Sequence, residues 1–364
     1  MEKLRFAVLG AGHGGMAMAA HLALMGFPVR IFNRSEARIN PIKIAGSIEV
    51  SGVLEGIGQV EVATTNMKEA VEDADIIMVV VPANGHGYMA ENAAPCLRDG
   101  QVVLLNPGRT GGAFEFRRIL TEKKVKADVI IGEAQTLLYA CRSTNPAQVK
   151  IFGIKNSVPV AALPGIHTVD LVRRLKIAFP QFVPGDNVVK TSLDNIGAVF
   201  HPALTVLNAA RIESTRGEFQ FYYEGITNAV AHVLESLDQE RVAVAAALGI
   251  RAMTAREWLY MAYDSHGKTL YNAIRNNVGY KGILAPPVID HRYIWEDVPM
   301  SLVPIASLGD LLGEPTPTIK DIIHLASIMN GSDYWLEGRT VERMGVAGLT
   351  HQEIRKIALE GFQR

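Results

Sequence analysis

The chain has 364 residues, 48% of them hydrophobic and 20% charged, and a formal net charge of −1. That length allows two domains with a large core, the composition excludes a disordered chain, and the near-neutral charge excludes nucleic acid or an anionic membrane as the main partner. Cys96 and Cys141 are the only cysteines, too few for a disulfide framework or a thiolate metal site, so no metal is expected and a reducing compartment is. With no leader and no membrane-length apolar run, the expectation is a cytoplasmic protein.

The first element is an apolar strand, Phe6-Ala-Val-Leu, running into Gly10-Ala-Gly12-His13-Gly14-Gly15 and then a helix over residues 16–25. Gly10 permits the tight turn, Gly12 lets a diphosphate approach the backbone, and Gly15 lets helix and strand pack closely. The unpaired amides at the start of that helix favour an anion. Gly26 stops the helix and Val29-Arg-Ile-Phe32 forms the second strand, completing a βαβ unit that binds a dinucleotide. NAD enzymes place an acid after this strand, roughly 20 residues beyond the glycines, for the ribose 2′-hydroxyl. Here Asn33-Arg34-Ser35 stands instead. An amide, a guanidinium and a hydroxyl suit a 2′-phosphate, so the cofactor is read as NADP, with NAD the alternative.

Strand runs at 75–81, 101–105 and 128–131 are continuous and β-branched, as in parallel strands covered on both faces. Ligands bind beyond the carboxyl ends of such strands, which makes Pro82 and Asn106 candidates for the cofactor edge by position; ordinary turn chemistry is the plainer account of their loops. Residues 149–154 and 157–161, joined by Lys155-Asn156, read as a hairpin appended to the sheet. A helix over 168–179 and a short strand near Phe182 close a dinucleotide-binding domain expected over 1–190. A helical substrate domain is expected over 191–364, with the active site in the cleft between the two. Its helix signals are a long amphipathic run from Thr227 to Gly249, capping boxes at Thr254-Ala-Arg-Glu257 and Thr350-His-Gln-Glu353, and Thr316-Pro317 ahead of a helix ended by Gly331. The run from Thr227 is either core or the interface of a homodimer.

Two clusters could carry chemistry. Across 192–211 an apolar stripe leaves His201 on a second face with Asp194, Thr205 and Asn208, a face that is either wet surface or cleft wall, and Pro202 stands inside the helix. His291-Arg292-Tyr293-Ile-Trp295-Glu296-Asp297 gathers acids, an arginine and aromatics. Its functional reading is an arginine for a substrate carboxylate and an acid to orient His201; its plain reading is surface charge pairing, and spacing does not choose. Tyr139, Phe200, Tyr222, Tyr223 and Trp295 either line a pocket or belong to the core.

Several long runs are unusual: 106–117, 132–142, His201-Pro-Ala-Leu-Thr-Val-Leu-Asn-Ala-Ala-Arg-Ile-Glu-Ser214, 219–225 and 292–297. In these the whole chain resembles the octopine/nopaline (opine) dehydrogenase family. The resemblance implies an α/β N-terminal Rossmann-type domain and an all-α C-terminal domain of the 6-phosphogluconate dehydrogenase C-terminal kind. It implies NAD(P)H-dependent joining of an α-keto acid and an amino acid, both small molecules. It also implies His201 as the proton-transfer residue, Asp297 as its partner and Arg292 as the carboxylate anchor, with Arg109 or Arg142 in reserve. Close relatives carry an acid where Asn33-Arg34 stands, so their cofactor choice does not transfer. The rival readings are a ketopantoate-reductase-like or hydroxy-acid dehydrogenase, whose usual lysine this helix lacks, and a catalytically silent NADP-binding sensor.

Overall fold

The computed structural model describes residues 3–362. Its first strand, β1 (Phe6–Leu9), pairs in parallel with β2 (Val29–Phe32). β3 (Ser47–Gly52), β4 (Gly56–Gln59) and β5 (Val62–Thr64) follow, then β6 (Ile76–Val79), β7 (Val102–Leu105) and β8 (Ile130–Ala134). β9 (Tyr139–Asn145), β10 (Gln148–Ile154), β11 (Val158–Leu163) and β12 (Phe182–Pro184) complete the strands. The main sheet has the order β12-β11-β8-β7-β6-β1-β2-β5. It is parallel except where β11 meets β8. Every residue of β1, β6 and β7 is buried, which is why these strands read as unbroken apolar runs. The order turns back between β1 and β6, so the carboxyl ends of those two strands form the crevice where such sheets hold ligands.

The hairpin expected from 149 to 161 does not form. β10 instead pairs antiparallel with β9 and parallel with β3, in a second sheet of order β4-β3-β10-β9, while β11 joins the main sheet. Burial separates them: β10 alternates inward and outward, as a strand covered on one face does, whereas β11 is buried nearly throughout. The second sheet, including the unexpected β3 and β4, covers the helix His13–Leu24, where an added Cβ on Gly58 would touch Ala20.

The chain divides into two compact units, Met1–Thr191 with Lys356–Arg364, and Ser192–Arg355. The boundary lies beside the expected residue 190, but the last residues of the expected helical domain return to the first unit. There Ala358 backs onto Gly165 and Phe362 meets Phe114 edge-on.

The second unit is helical. The helix Asn228–Ala247 starts at the Thr227 side chain and organises its neighbours through acids along its length. Glu235 accepts the amide of Leu270, Asp238 that of Ala255, and Glu240 those of Thr318 and Ile319, each at the start of another helix. A carboxylate there satisfies otherwise unpaired donors and meets the positive end of the helix dipole. Arg241, fully buried, pairs with Asp238 at 2.7 Å and donates to the carbonyls of Leu193 and Met253. The Thr254–Glu257 capping box forms as expected, and so does that of Thr350 and Glu353. No helix among the described residues is long and apolar enough to cross a membrane.

Candidate active site

In the first unit the glycines behave as their spacing requires. Gly10 has φ +120°, and a Cβ there would collide with the Val80 carbonyl. One on Gly15 would fall onto the Gly10 carbonyl oxygen, whereas one on Gly12 would meet nothing within 4 Å. Two glycines thus serve the turn and packing, and the third stands beside open space. The helix begins at His13, earlier than expected, and has no acid in its first turn. His13 is exposed, its Nδ1 2.7 Å from Ser143 Oγ on β9.

Asn33 is turned inward. Its Oδ1 accepts the Ala11 amide at 3.1 Å and its Nδ2 donates to the Ser35 carbonyl, so the side chain ties the glycine turn to the end of β2. Arg34 is exposed, with its guanidinium over the Tyr88 ring, 5.7 Å from the centroid, and makes no hydrogen bond or ion pair among the described residues. Pro82 lies just past β6. Asn106, just past β7, is buried; its Nδ2 donates to Leu104 O while its Oδ1 has no partner among the described residues. A buried carbonyl oxygen left bare at the ligand end of a parallel sheet suits a donor on a bound molecule. The open space at Gly12 and this acceptor both fit a dinucleotide.

In the second unit the expected single helix over 192–211 is broken. Gly197–Leu207 is one helix and Ala209–Thr215 the next. Asn208 stands between them, its amide donating to Leu204 O and Gly225 O, a side chain competing for backbone partners as asparagine does. The second polar face also resolves differently from either expectation. Asp194 is buried and accepts the Met253 amide, and Thr205 is buried and donates to the His201 carbonyl. Only His201 of that set keeps an open functional group.

His201 Nδ1 lies 2.7 Å from Asp297 Oδ2; the carboxylate is fully buried and the imidazole 22% exposed. A carboxylate only accepts, so Nδ1 carries a proton and Nε2 is the ring nitrogen left to face a further partner. Nε2 makes no hydrogen bond among the described residues. Tyr293 stacks on the imidazole at 4.0 Å and 17°, and Phe221 backs Tyr293 at 5.6 Å. Asp297 sits where the helix Arg292–Trp295 gives way to one π-helical turn, Val298–Leu302. Ser301 of that turn accepts from Asn195, just ahead of the His201 helix. Burial, with Arg292 and His201 close by, pushes the His291 imidazole down, and its Nδ1 accepts the Tyr293 amide.

Arg292 is half exposed and bonded through Nε and Nη2 to the buried Glu296 carboxylate, at 2.9 and 2.5 Å. Glu296 fixes one edge of the guanidinium, and Nη1 remains for another acceptor. Arg109 is buried with φ +57°, just after β7, while Arg142 lies on the outward face of β9. Phe200 and Tyr222 are core, and Tyr139 packs in the first unit against His21 and Phe179. Sequence reasoning did not single out Tyr293, although its place between His291 and Asp297 in a dense cluster was the available signal.

Residues 184–330 match the family model described as NAD/NADP octopine/nopaline dehydrogenase, alpha-helical domain, and residues 5–113 match the N-terminus of NAD-dependent glycerol-3-phosphate dehydrogenase. The opine dehydrogenase of Arthrobacter sp. (strain 1C) is 41% identical over 356 residues, covering 98% of this chain and 99% of that protein. The chain belongs to the opine dehydrogenase family. This opine dehydrogenase homologue is an NAD(P)-dependent dehydrogenase. Its fold is that of octopine dehydrogenase solved with NADH and agmatine, with a TM-score of 0.84 and 23% identity over 100% of this chain and 99% of that one. It also matches NADP+-bound yersinopine dehydrogenase, with a TM-score of 0.73 and 14% identity over 99% and 98%.

The glycines give a paired test. Gly12→Ala leaves the melting temperature near that of the parent, since its Cβ meets open space, yet weakens dinucleotide binding in a fluorescence titration. Gly15→Ala lowers both, because the Gly10 carbonyl must move. Equal melting losses in the two variants would contradict this division of labour.

Proposed function

We propose that the enzyme joins the amino group of an amino acid to the carbonyl carbon of an α-keto acid and reduces the C=N bond, giving an N-(carboxyalkyl) amino acid. One observation carries this reading. An imidazole is held by a fully buried carboxylate and stacked on a tyrosine, with its second nitrogen unengaged among the described residues. The reduction uses one dinucleotide and one proton and releases water, so a side chain must pass protons near neutral pH, which suits histidine.

When bound, the cofactor supplies the hydride for the substrate carbon. Gly12 and the amides at the start of the His13–Leu24 helix receive the diphosphate, and Asn106 offers its bare Oδ1. Asp297 keeps a proton on Nδ1, so Nε2 of His201 is the atom that gives or takes one at the reacting heteroatom. While that nitrogen is protonated, the carboxylate 2.7 Å from Nδ1 stabilises the imidazolium. Tyr293 holds the ring plane. Arg292, steadied by Glu296, meets a substrate carboxylate with its remaining donors. The sequence runs named above support a narrower reading, with a product of the N-(1-D-carboxyethyl)-L-norvaline kind.

The preferred cofactor is NADP, with NAD the alternative. Asn33 is occupied with Ala11, so Arg34 with Ser35 meets the 2′-phosphate. Arg34→Asp should shift the NADPH/NADH preference toward NADH by roughly tenfold or more, the worth of one charge-assisted hydrogen bond. Unchanged selectivity in kcat/KM would remove the assignment.

The decisive experiment follows NADPH oxidation with pyruvate, with and without each of a panel of amino acids. Turnover that needs both substrates is expected. Equal turnover with pyruvate alone would make this a ketone reductase instead.

A further inference from the structure

Three neighbouring strands of the main sheet end level with one another. Leu9, closing β1, pairs with Phe32, closing β2, and with Val79, closing β6. The chain leaves them at one edge, where Gly10 N donates to Phe32 O and Val80 N to Leu9 O, both at 2.8 Å. Arg34 stands two residues past β2, and Tyr88 is the third residue of the helix His86–Ala93 that follows β6. With β1 between β2 and β6, the two side chains meet across the end of the strand that opens the glycine turn. The guanidinium carbon lies 5.7 Å from the ring centroid.

Packing does not ask for a ring at residue 88. The helix buries His86, Met89, Ala90 and Ala93, one face at helical spacing. Tyr88 lies off that face and is 38% exposed. Arg34, the cation over its ring, is exposed as well and makes no hydrogen bond or ion pair among the described residues.

How an arginine is held decides what it can still do. A carboxylate partner would take up N–H donors, offset the charge and repel a phosphate. A ring face attracts the cation through its quadrupole and leaves the in-plane donors and the full charge for a guest. It also narrows the rotamer freedom that a long side chain would otherwise lose on binding.

We propose that Tyr88 is a positioning residue for the cofactor's 2′-phosphate. Its ring parks Arg34 at the edge of the glycine turn, charged and with its donors unspent, and so raises the preference for NADP over NAD. This rests on the 2′-phosphate reading of Arg34 given above and adds the residue that makes the arginine effective. Tyr88 brings no charge of its own. Its effect therefore passes through Arg34 and falls on the cofactor that carries the extra phosphate.

The test is a fluorescence titration with NADPH and NADH, with preference read as the ratio of the two dissociation constants. Tyr88→Leu should lower the preference for NADPH roughly two- to fivefold, the worth of an exposed cation–π contact. Tyr88→Phe should keep the parent's preference, because the ring and not the hydroxyl holds the cation. Arg34→Ala should lower the preference by itself, and adding Tyr88→Leu to it should lower it no further. A preference unchanged by Tyr88→Leu, while Arg34→Ala reduces it, would overturn the proposal and leave the 2′-phosphate reading standing. So would an equal loss for both cofactors, which would put the ring against the adenosine they share. A further fall in the Arg34→Ala background would also overturn it, since Tyr88 would then act without the arginine. A preference indifferent to Arg34→Ala would remove the 2′-phosphate reading, and this proposal with it.

Discussion

Replacing His201 with asparagine should lower kcat by about 10²–10⁴-fold, the range for removing a general acid or base, while dinucleotide affinity stays near that of the parent. Asparagine cannot cycle a proton at neutral pH, but it is small and polar enough for a site already 22% exposed. Asp297→Asn should also lower kcat, for a different reason. An amide can donate to Nδ1, which moves the imidazole proton to Nε2 and leaves the reacting nitrogen in the wrong state. The measurements are steady-state kinetics and a fluorescence titration with NADPH. If His201→Asn lost cofactor affinity with kcat intact, the histidine would be a structural residue. If Asp297→Asn left kcat unchanged, the buried carboxylate would have no part in the proton step.

Arg241→Met should destabilise the second unit by about 3–5 kcal/mol, the usual cost of breaking a buried ion pair from one side. The side chain is fully buried, holds Asp238 at 2.7 Å and covers the carbonyls of Leu193 and Met253. Methionine fills much of the volume, but it leaves a carboxylate deep in the fold that accepts from the Ala255 amide and has lost its cation. Adding Asp238→Asn to that variant should recover part of the loss. The amide carries no charge to desolvate and can still accept from Ala255. Urea unfolding checks both variants; a cost below 1 kcal/mol for Arg241→Met would show that the pair contributes little.

The βαβ start was legible because each residue in it answers to a local rule. Gly10, Gly12 and Gly15 need backbone space, Gly26 stops a helix, and β1 is an unbroken apolar run. The capping boxes at Thr254 and Thr350 were legible for the same reason. The second sheet was not, although Ser47-Ile-Glu-Val-Ser alternates as a half-covered strand should. Its partner in β10 lies about a hundred residues away, and two nearby β-branched runs offered a simpler, incorrect hairpin. Periodicity places strands but does not say which sheet receives them. His201 and Asp297 are 96 residues apart, and no spacing rule joins them. The family resemblance raised that pair, and the π-helical turn that carries Asp297 has no signature in the chain. Asn33 shows the converse. Its residue type suits a phosphate, but only coordinates reveal that its oxygen already serves Ala11.

The helix Asn228–Ala247 lends its acids to the first turns of helices beginning at Ala255, Leu270 and Pro317. Those beginnings therefore cannot fray one at a time without stranding a carboxylate. In native-state hydrogen exchange the amides of Ala255, Leu270 and Thr318 should open together, at a rate set by their common support rather than by local helix propensity. A region assembled from short helices would in this way melt as one body.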